Sequence, residues 1–199
     1  MSKKQNNFLF NFIAPVYGLF YNSQKKNYVK NIKVLRKYLN ISEYKSIIDI
    51  GCGTGAMCAA LNKEGIKVTG VDPATKMLNI GRKKEENKTI EFVECDTCEK
   101  LPFTDKTFDL SVASYVAHGL KPEQRITLYS EMSRLSKHYV IYYDYNEKRA
   151  WLTSVIEWFE RGDYFNFIKN VKTELNENFE LVQEIKLNKQ ASWYVCTPK

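Results

Sequence analysis

The chain has 199 residues, of which 44% are hydrophobic and 27% charged, as in an ordinary globular domain with a sizeable core. No apolar run approaches the roughly 18 residues of a membrane span, and no segment has the pattern of a signal peptide. Five cysteines without the spacing of a disulfide framework indicate a reducing cytoplasm. The net charge of +7 is uneven, because residues 1–46 hold nine basic residues and one acidic residue. This asymmetry favours encounters with anionic partners.

The first 40 residues are predicted to form a short aromatic segment followed by an amphipathic helix. Residues 8–21 hold six aromatic residues, and Pro15 and Gly18 interrupt them. Ser23 is a candidate N-cap for a helix that reaches about Leu39. One face of this helix is apolar and the other carries lysines, which could meet anionic lipid or an acidic substrate, or could simply be solvated.

The glycine-rich stretch IIDIGCGTG (residues 47–55) is the strongest functional signal in the chain. Its β-branched start predicts a buried strand, and the apolar run from Ala56 to Leu61 predicts a helix. Glycines allow a tight turn and let a ligand approach the helix N–H groups closely. A strand, a glycine-rich turn and a helix in this order are therefore typical of nucleotide binding.

Two kinds of nucleotide fit this turn. The spacing Gly51-x-Gly53-x-x-Ala56, with Asp72 about 20 residues further on, matches a dinucleotide fingerprint. Asp49 lies directly before the turn, where a carboxylate would repel a pyrophosphate and favour a cation. S-adenosylmethionine carries a sulfonium and an ammonium group and no phosphate, so we favour it over NAD.

The stretch IIDIGCGTG also resembles the first motif of the class I S-adenosylmethionine-dependent methyltransferases, and VDPATKML (71–78) resembles their second motif. FNFIAPVYGLFYN (10–22) is similar to the N-terminal segment of the ubiquinone/menaquinone-biosynthesis methyltransferases, although Gly18 stands where many relatives have an acid. The resemblance covers roughly residues 8–145. It implies a Rossmann-like α/β fold, with a seven-stranded, mostly parallel sheet, helices on both faces and an antiparallel last strand.

The resemblance implies that S-adenosyl-L-methionine binds across the carboxyl ends of the first four strands and leaves as S-adenosyl-L-homocysteine. Asp72 would bind the ribose hydroxyls, and Asp96 and Thr97, after the strand TIEFVECD, would lie near the adenine. Met77 would contact adenine or pack in the core. The predicted cofactor-binding residues are Asp49, Gly51, Cys52, Gly53, Gly55, Asp72, Pro73, Met77, Asp96, Thr97 and Ser114.

Three residues are predicted to handle the methyl acceptor: His118, Tyr115 and Tyr17. In the family, the residues after the fourth strand, here SYVAHGL (114–120), face the methyl group. His118 could accept a proton near neutral pH or only shape the pocket. Tyr17 would lie near the methionine end of the cofactor in an N-terminal lid, although these aromatics could simply pack on the sheet.

No metal site is predicted. Cys95-x-x-Cys98 could be a redox pair or half of a zinc site, but a single pair without a nearby histidine is more typical of structural cysteines.

The second half of the chain is predicted to complete the sheet. Pro122 should open a helix to Leu135, and the next strand should follow directly because the family's usual Pro-Gly-Gly turn is missing. Residues 179–187 and 192–198 should form an antiparallel pair. An aromatic helix beside the substrate pocket is predicted from Trp151, Leu152, Val155, Trp158 and Phe159.

We therefore predict one methyltransferase domain over residues 1–199. It would comprise an N-terminal helical lid and basic segment (1–40), a cofactor-binding core (45–145), and an aromatic helical segment with the closing strand pair (146–199). The predicted function is methylation of a small molecule, aromatic or lipid-like, by a cytoplasmic monomer or homodimer with peripheral membrane contact left open. The alternatives are an RNA methyltransferase, an NAD-dependent enzyme and a non-catalytic nucleotide-binding protein.

Overall fold

The computed structural model describes residues 3–147 and 163–199. Its residues group into two compact units, Met1–Thr97 and Cys98–Lys199. The predicted aromatic helix around Trp151 and Trp158 lies outside the described residues. The organisation of residues 1–199 as a single domain stays a prediction.

The strands in chain order are β1 (Ser46–Ile50), β2 (Lys67–Asp72), β3 (Glu91–Glu94), β4 (Phe108–Ser114), β5 (Ser136–Tyr145), β6 (Leu181–Lys186) and β7 (Ala191–Thr197). They form a seven-stranded sheet in the order β3-β2-β1-β4-β5-β7-β6. The pairs β1–β2, β2–β3 and β4–β5 are parallel, whereas β7 is antiparallel to both β5 and β6. The predicted mostly parallel sheet with a reversed last strand is confirmed.

Five helices are described: α1 (Lys3–Leu35), α2 (Ala56–Asn62), α3 (Thr75–Arg82), α4 (Pro122–Leu135) and α5 (Tyr164–Asn178). Parallel neighbours cannot be joined by a tight hairpin, and α2 and α3 supply the connections in the first unit. Within the described ranges, none of the helices is long and apolar enough to cross a membrane.

The N-terminal prediction is wrong in one respect. The structure has one continuous helix, α1, with Pro15 inside it, instead of two segments with Ser23 as an N-cap. The buried face of α1 continues across both predicted segments, from Ala14 to Tyr21 and on to Ile32. Burial of this face against the rest of the first unit overrides the local breaking tendency of proline, which is a common outcome when tertiary packing and propensity conflict.

The first unit has its core where the sequence predicts it. Ile47, Ile48 and Ile50 of β1 are fully buried. On α1, Ala14 packs with Ala74 and Met77, and partly buried Tyr17 lies against this cluster. Further along, Tyr21 packs with Ala56 and Ala59 of α2. Helix α1 therefore anchors both helices that border the glycine-rich turn.

The helices and strands of the second unit begin and end close to their predicted positions. Helix α4 begins at Pro122 and ends at Leu135, and β5 follows at once from Ser136. The closing pair is present, with Leu181 opposite Thr197 and Lys186 opposite Ser192.

Candidate functional site

The glycine-rich turn of the first unit adopts a backbone that glycine permits. Gly51, Gly53 and Gly55 have φ angles of 79°, 54° and 77°. A Cβ atom on Gly55 would lie 2.6 Å from the Phe92 ring, so the turn could not accept a side chain there. At Gly53, in contrast, a Cβ atom would meet nothing within 4 Å. The space beside Gly53 is open, as close approach of a ligand to the backbone requires.

Asp72, at the carboxyl end of β2, braces this turn. One carboxylate oxygen, Oδ2, accepts the Gly53 N–H at 2.8 Å, and Oδ1 accepts the Ala74 N–H at 2.8 Å. Burial raises the pKa of Asp72 to about 6, while the two N–H groups act in the opposite direction. The group is therefore mostly ionised at neutral pH. A carboxylate of this kind is a suitable acceptor for hydroxyl groups of a ribose.

Asp49 is fully buried beneath the same turn. Its Oδ2 accepts a hydrogen bond from the Cys58 thiol at 3.1 Å, whereas its Oδ1 is buried without a partner among the described residues. Burial raises the pKa of Asp49 to about 7, and the nearby charge of Asp72 adds to the effect. The orphaned oxygen gives the turn an unsatisfied acceptor and thus an electrostatic preference for a cation.

The remaining predicted cofactor residues of the first unit lie around β2 and β3. Pro73 directly follows Asp72 and precedes α3, which begins at Thr75. Met77 is buried in the cluster with Ala14, so it takes part in core packing. Thr97 is buried and Asp96 half-buried beyond the end of β3. Their adenine contacts stay predictions.

In the second unit, the chain turns sharply after β4. Ser114 is half-buried, and Tyr115 has a φ of 54°, a left-handed conformation that non-glycine residues seldom adopt. The Tyr115 N–H donates to the carbonyl of Tyr143 at 2.8 Å, and the two phenol groups are 3.3 Å apart. Strained backbone of this type is concentrated at functional sites.

His118 forms a buried pair with Asp144, at the end of β5. Its Nδ1 is 2.8 Å from Asp144 Oδ1. The same carboxylate accepts the backbone N–H groups of Ala117 at 3.1 Å, His118 at 3.4 Å and Tyr145 at 2.8 Å. An acceptor-only carboxylate favours the tautomer with its proton on Nδ1, so Nε2 is the basic nitrogen of the ring.

Aromatic rings surround this pair. The His118 ring packs edge-on against Tyr145, with centroids 4.8 Å apart, and lies 6.1 Å from Tyr115 and 6.5 Å from Phe167. Tyr145 in turn contacts Tyr164 at 5.0 Å. Burial raises the pKa of Tyr115 far above its ordinary value, so this phenol stays protonated at any physiological pH.

Two buried groups were missed by the sequence analysis. Asp144 could have been found, because it is an acid at the carboxyl end of a strand parallel to β4. Arg125, on α4, gave no comparable signal. It is fully buried, donates to Glu174 at 2.7 and 2.5 Å and to Asp163 at 2.8 Å, and holds α5 against α4.

The Cys95-x-x-Cys98 pair lies after β3, at the boundary between the two units. Neither cysteine is in a disulfide, and no group of three or more metal-ligating side chains is found within residues 3–147 and 163–199. The other three cysteines, Cys52, Cys58 and Cys196, are not in disulfides either.

Comparison with known proteins finds methyltransferases, the class that the motifs resemble. Residues 47–138 match a family model described as a methyltransferase domain. A demethylmenaquinone methyltransferase of Chlorobaculum tepidum is 34% identical over 131 residues, which is 59% of this chain and 53% of that protein. A sterol 4-C-methyltransferase of Caenorhabditis elegans is 40% identical over 81 residues, 39% of this chain and 24% of that protein. Over residues 47–138 the chain therefore matches the methyltransferases.

Solved methyltransferase structures share the fold of this chain. An S-adenosylmethionine-dependent methyltransferase of Thermotoga maritima superposes with a TM-score of 0.69 and 19% identity, over 96% of this chain and 99% of that one. The chain spans about half the length of the first curated relative that it matches.

Proposed function

We propose that the protein transfers a methyl group from S-adenosylmethionine to a small molecule. The observation that carries this proposal is the glycine-rich turn, where open space beside Gly53 adjoins the ionised carboxylate of Asp72. The turn, with Gly51, Gly53 and Gly55, would receive the cofactor against the backbone. Asp72 would bind its ribose, and Asp96 and Thr97 would lie near its adenine.

The bound cofactor supplies a methyl group on a sulfonium, which is already activated for displacement. The protein then has to orient the acceptor and exclude water. If the acceptor atom carries a proton, a base must take it, and Nε2 of His118 is suited to this role because Asp144 holds the proton on Nδ1. Tyr115 and Tyr17 remain candidates for acceptor contacts, and Ser114 for the cofactor.

A small-molecule acceptor is supported by the relatives. Two matched relatives are named as methyltransferases of demethylmenaquinone and of a sterol, and neither of these acceptors is a nucleic acid. The aromatic environment of His118 is compatible with a flat or apolar acceptor. The alternatives of an RNA methyltransferase, an NAD-dependent enzyme and a non-catalytic binding protein have no comparable support. The five cysteines form no disulfide, which supports a cytoplasmic location, and the monomer or homodimer assignment stays a prediction.

A thermal-shift experiment with the full chain tests the cofactor. S-adenosylmethionine and S-adenosylhomocysteine at about 100 times their dissociation constants should each add about 2.7 kcal/mol of stability. For a domain of this size that corresponds to a rise in Tm of about 5–10 °C. NAD serves as the matched control and should give no shift. A shift with NAD alone would contradict the proposal.

An acceptor screen tests the transfer itself. Demethylated quinones, sterols and a structured RNA would be incubated with the protein and S-adenosylmethionine, and the formation of S-adenosylhomocysteine would be measured. Turnover with the RNA only would overturn the small-molecule proposal.

A further inference from the structure

Helix α1 presents an exposed apolar patch on the side that faces away from the first unit. Phe12, Val16, Leu19 and Phe20 are 73%, 53%, 82% and 57% exposed. Their spacing of three and four residues places them on one face of the helix. Large apolar side chains that protrude together in this way mark an interaction surface.

The same face continues toward the C-terminal end of α1 as a row of lysines. Lys26, Lys30 and Lys33 follow Leu19 at intervals of seven, four and three residues, and all three are exposed. Within the described residues they have no ion-pair partner, whereas Lys25 pairs with Glu86 and Arg36 with Glu64. No acidic residue occurs anywhere in residues 1–42. We call Phe12, Val16, Leu19, Phe20, Lys26, Lys30 and Lys33 together the outer face of α1.

The opposite face of α1 is fully used by the core. Ala14, Tyr21, Ile32 and Leu35 are buried, and they lie half a turn away from the outer face at about 3.6 residues per turn. The outer face therefore is not required for packing α1 onto its own unit. It extends over about 30 Å from Phe12 to Lys33, at about 1.5 Å per residue.

We propose that the outer face of α1 docks the protein on an anionic lipid bilayer. The aromatic and aliphatic side chains would insert at the boundary between headgroups and acyl chains, and the lysines would lie over anionic headgroups. A bilayer is the partner that offers an apolar layer directly beneath a plane of negative charge. A nucleic acid offers phosphates for the lysines but nothing for Phe12 and Leu19, which would be left in water.

Vesicle co-sedimentation with the full chain tests this proposal. The probes are vesicles of neutral phosphatidylcholine and vesicles in which about a third of the lipid is anionic phosphatidylglycerol. We expect binding to the anionic vesicles only, and a weakening of that binding as salt is raised.

Two variants separate the components of the outer face. The triple variant K26Q/K30Q/K33Q should bind anionic vesicles roughly 100-fold more weakly, because each surface lysine contributes about five-fold. The variant F12Q/L19Q should lose a similar factor through its lost apolar insertion. The matched control K100Q/K186Q/K189Q removes the same charge from exposed lysines of the second unit and should bind like the unchanged protein.

Binding of S-adenosylhomocysteine and the Tm are measured for every variant, and both should be unchanged, which distinguishes lost docking from lost folding. Equal binding to neutral and anionic vesicles, or equal weakening by the two lysine triple variants, would overturn the proposal. So would a dimer in light scattering that F12Q/L19Q dissociates without any vesicle binding, since the outer face would then be a contact between two copies of this chain.

Discussion

The carboxyl ends of β2 and β5 each have a buried aspartate, but the two aspartates have different roles. Asp72 is the last residue of β2 and Asp144 lies one residue before the end of β5, and each accepts backbone N–H groups through both carboxylate oxygens. At β2 the partners are Gly53 and Ala74, which are small and leave open space beside the turn. At β5 the carboxylate also holds the imidazole of His118 among tyrosine rings.

The groups that each carboxylate binds determine its role. Asp72 binds only backbone N–H groups, so it holds the turn rigid. Its carboxylate oxygens can still accept hydrogen bonds from a ligand. Around Asp144 one bound group is titratable, so the result is a side chain with a defined tautomer. The first arrangement suits binding and the second suits proton transfer.

Substitution of the β5 carboxylate should have the largest effect. In D144N the amide can donate to Nδ1 of His118, so the proton moves to Nε2 and the ring can no longer accept one there. We expect kcat to fall by about 10²- to 10⁴-fold, with the dissociation constant for S-adenosylmethionine changed less than about two-fold. Steady-state kinetics over a pH series, with an acceptor from the screen, would check this. A kcat within three-fold of that of the unchanged protein would refute the role of His118 as a general base.

Substitution of the β2 carboxylate should affect binding instead. D72N loses the charge and one of the two N–H···O bonds, so we expect about 10- to 100-fold weaker binding of S-adenosylmethionine, as for the loss of a charge-assisted hydrogen bond. At saturating cofactor, kcat should change only a few-fold. Isothermal titration calorimetry measures the affinity. D109N is the control, because Asp109 lies on β4 and pairs with Lys137. Unchanged affinity in D72N would remove Asp72 from the cofactor site.

Asp49 is a third buried carboxylate, and it lacks the N–H partners of the other two. Its pKa is raised from 3.8 to about 7, so the folded state keeps the proton where the unfolded chain has lost it. Stability should therefore fall as pH rises from about 4 to 7. The variant D49N should have a Tm roughly 10 °C above that of the unchanged protein at pH 8 and about equal to it near pH 4. If Tm depended on pH in the same way in both proteins, the buried carboxyl of Asp49 would not be the cause of the pH dependence.

The smallest effect is expected at the turn after β4. Y115F keeps the ring and loses only the phenol contact with Tyr143, which should cost about 1 kcal/mol, or about 2–4 °C in Tm. Calorimetry and kinetics on the same sample separate two roles. A ten-fold or greater loss of kcat with a small change in Tm would move Tyr115 from packing to contact with the acceptor.

The glycine-rich turn could be predicted because its determinants are local. Gly51 to Gly55 follow β1 directly, and Asp72 ends the next strand, so strand patterns and spacing alone place them. The family resemblance added the fold, and the sheet order agrees with it. Even the missing Pro-Gly-Gly turn was informative, since it predicted the direct step from α4 into β5 at Ser136.

The pairing of His118 with Asp144 depends on the register between β4 and β5, which cannot be predicted from the sequence. It follows from Ser114 lying opposite Tyr143 across β4 and β5, which brings Asp144 to the turn after β4. Arg125 was missed for a similar reason. Its position on α4 gives no sign of burial in the sequence, because its partners Glu174 and Asp163 are 38 or more residues away along the chain. The continuous helix α1 was not predicted across Ser23, because the burial of its inner face could not be known from local propensity.

Helix α1 also sets a practical limit for trimming the gene. Asn11 accepts the Lys76 N–H at the start of α3, Tyr21 donates to Asn87, and Lys25 pairs with Glu86. An expressed fragment restricted to the family-model region, residues 47–138, would discard all three links and uncover the apolar side of α2 and α3. The recognisable homology segment is thus shorter than the piece of chain that must be synthesised for the glycine-rich turn to keep its shape.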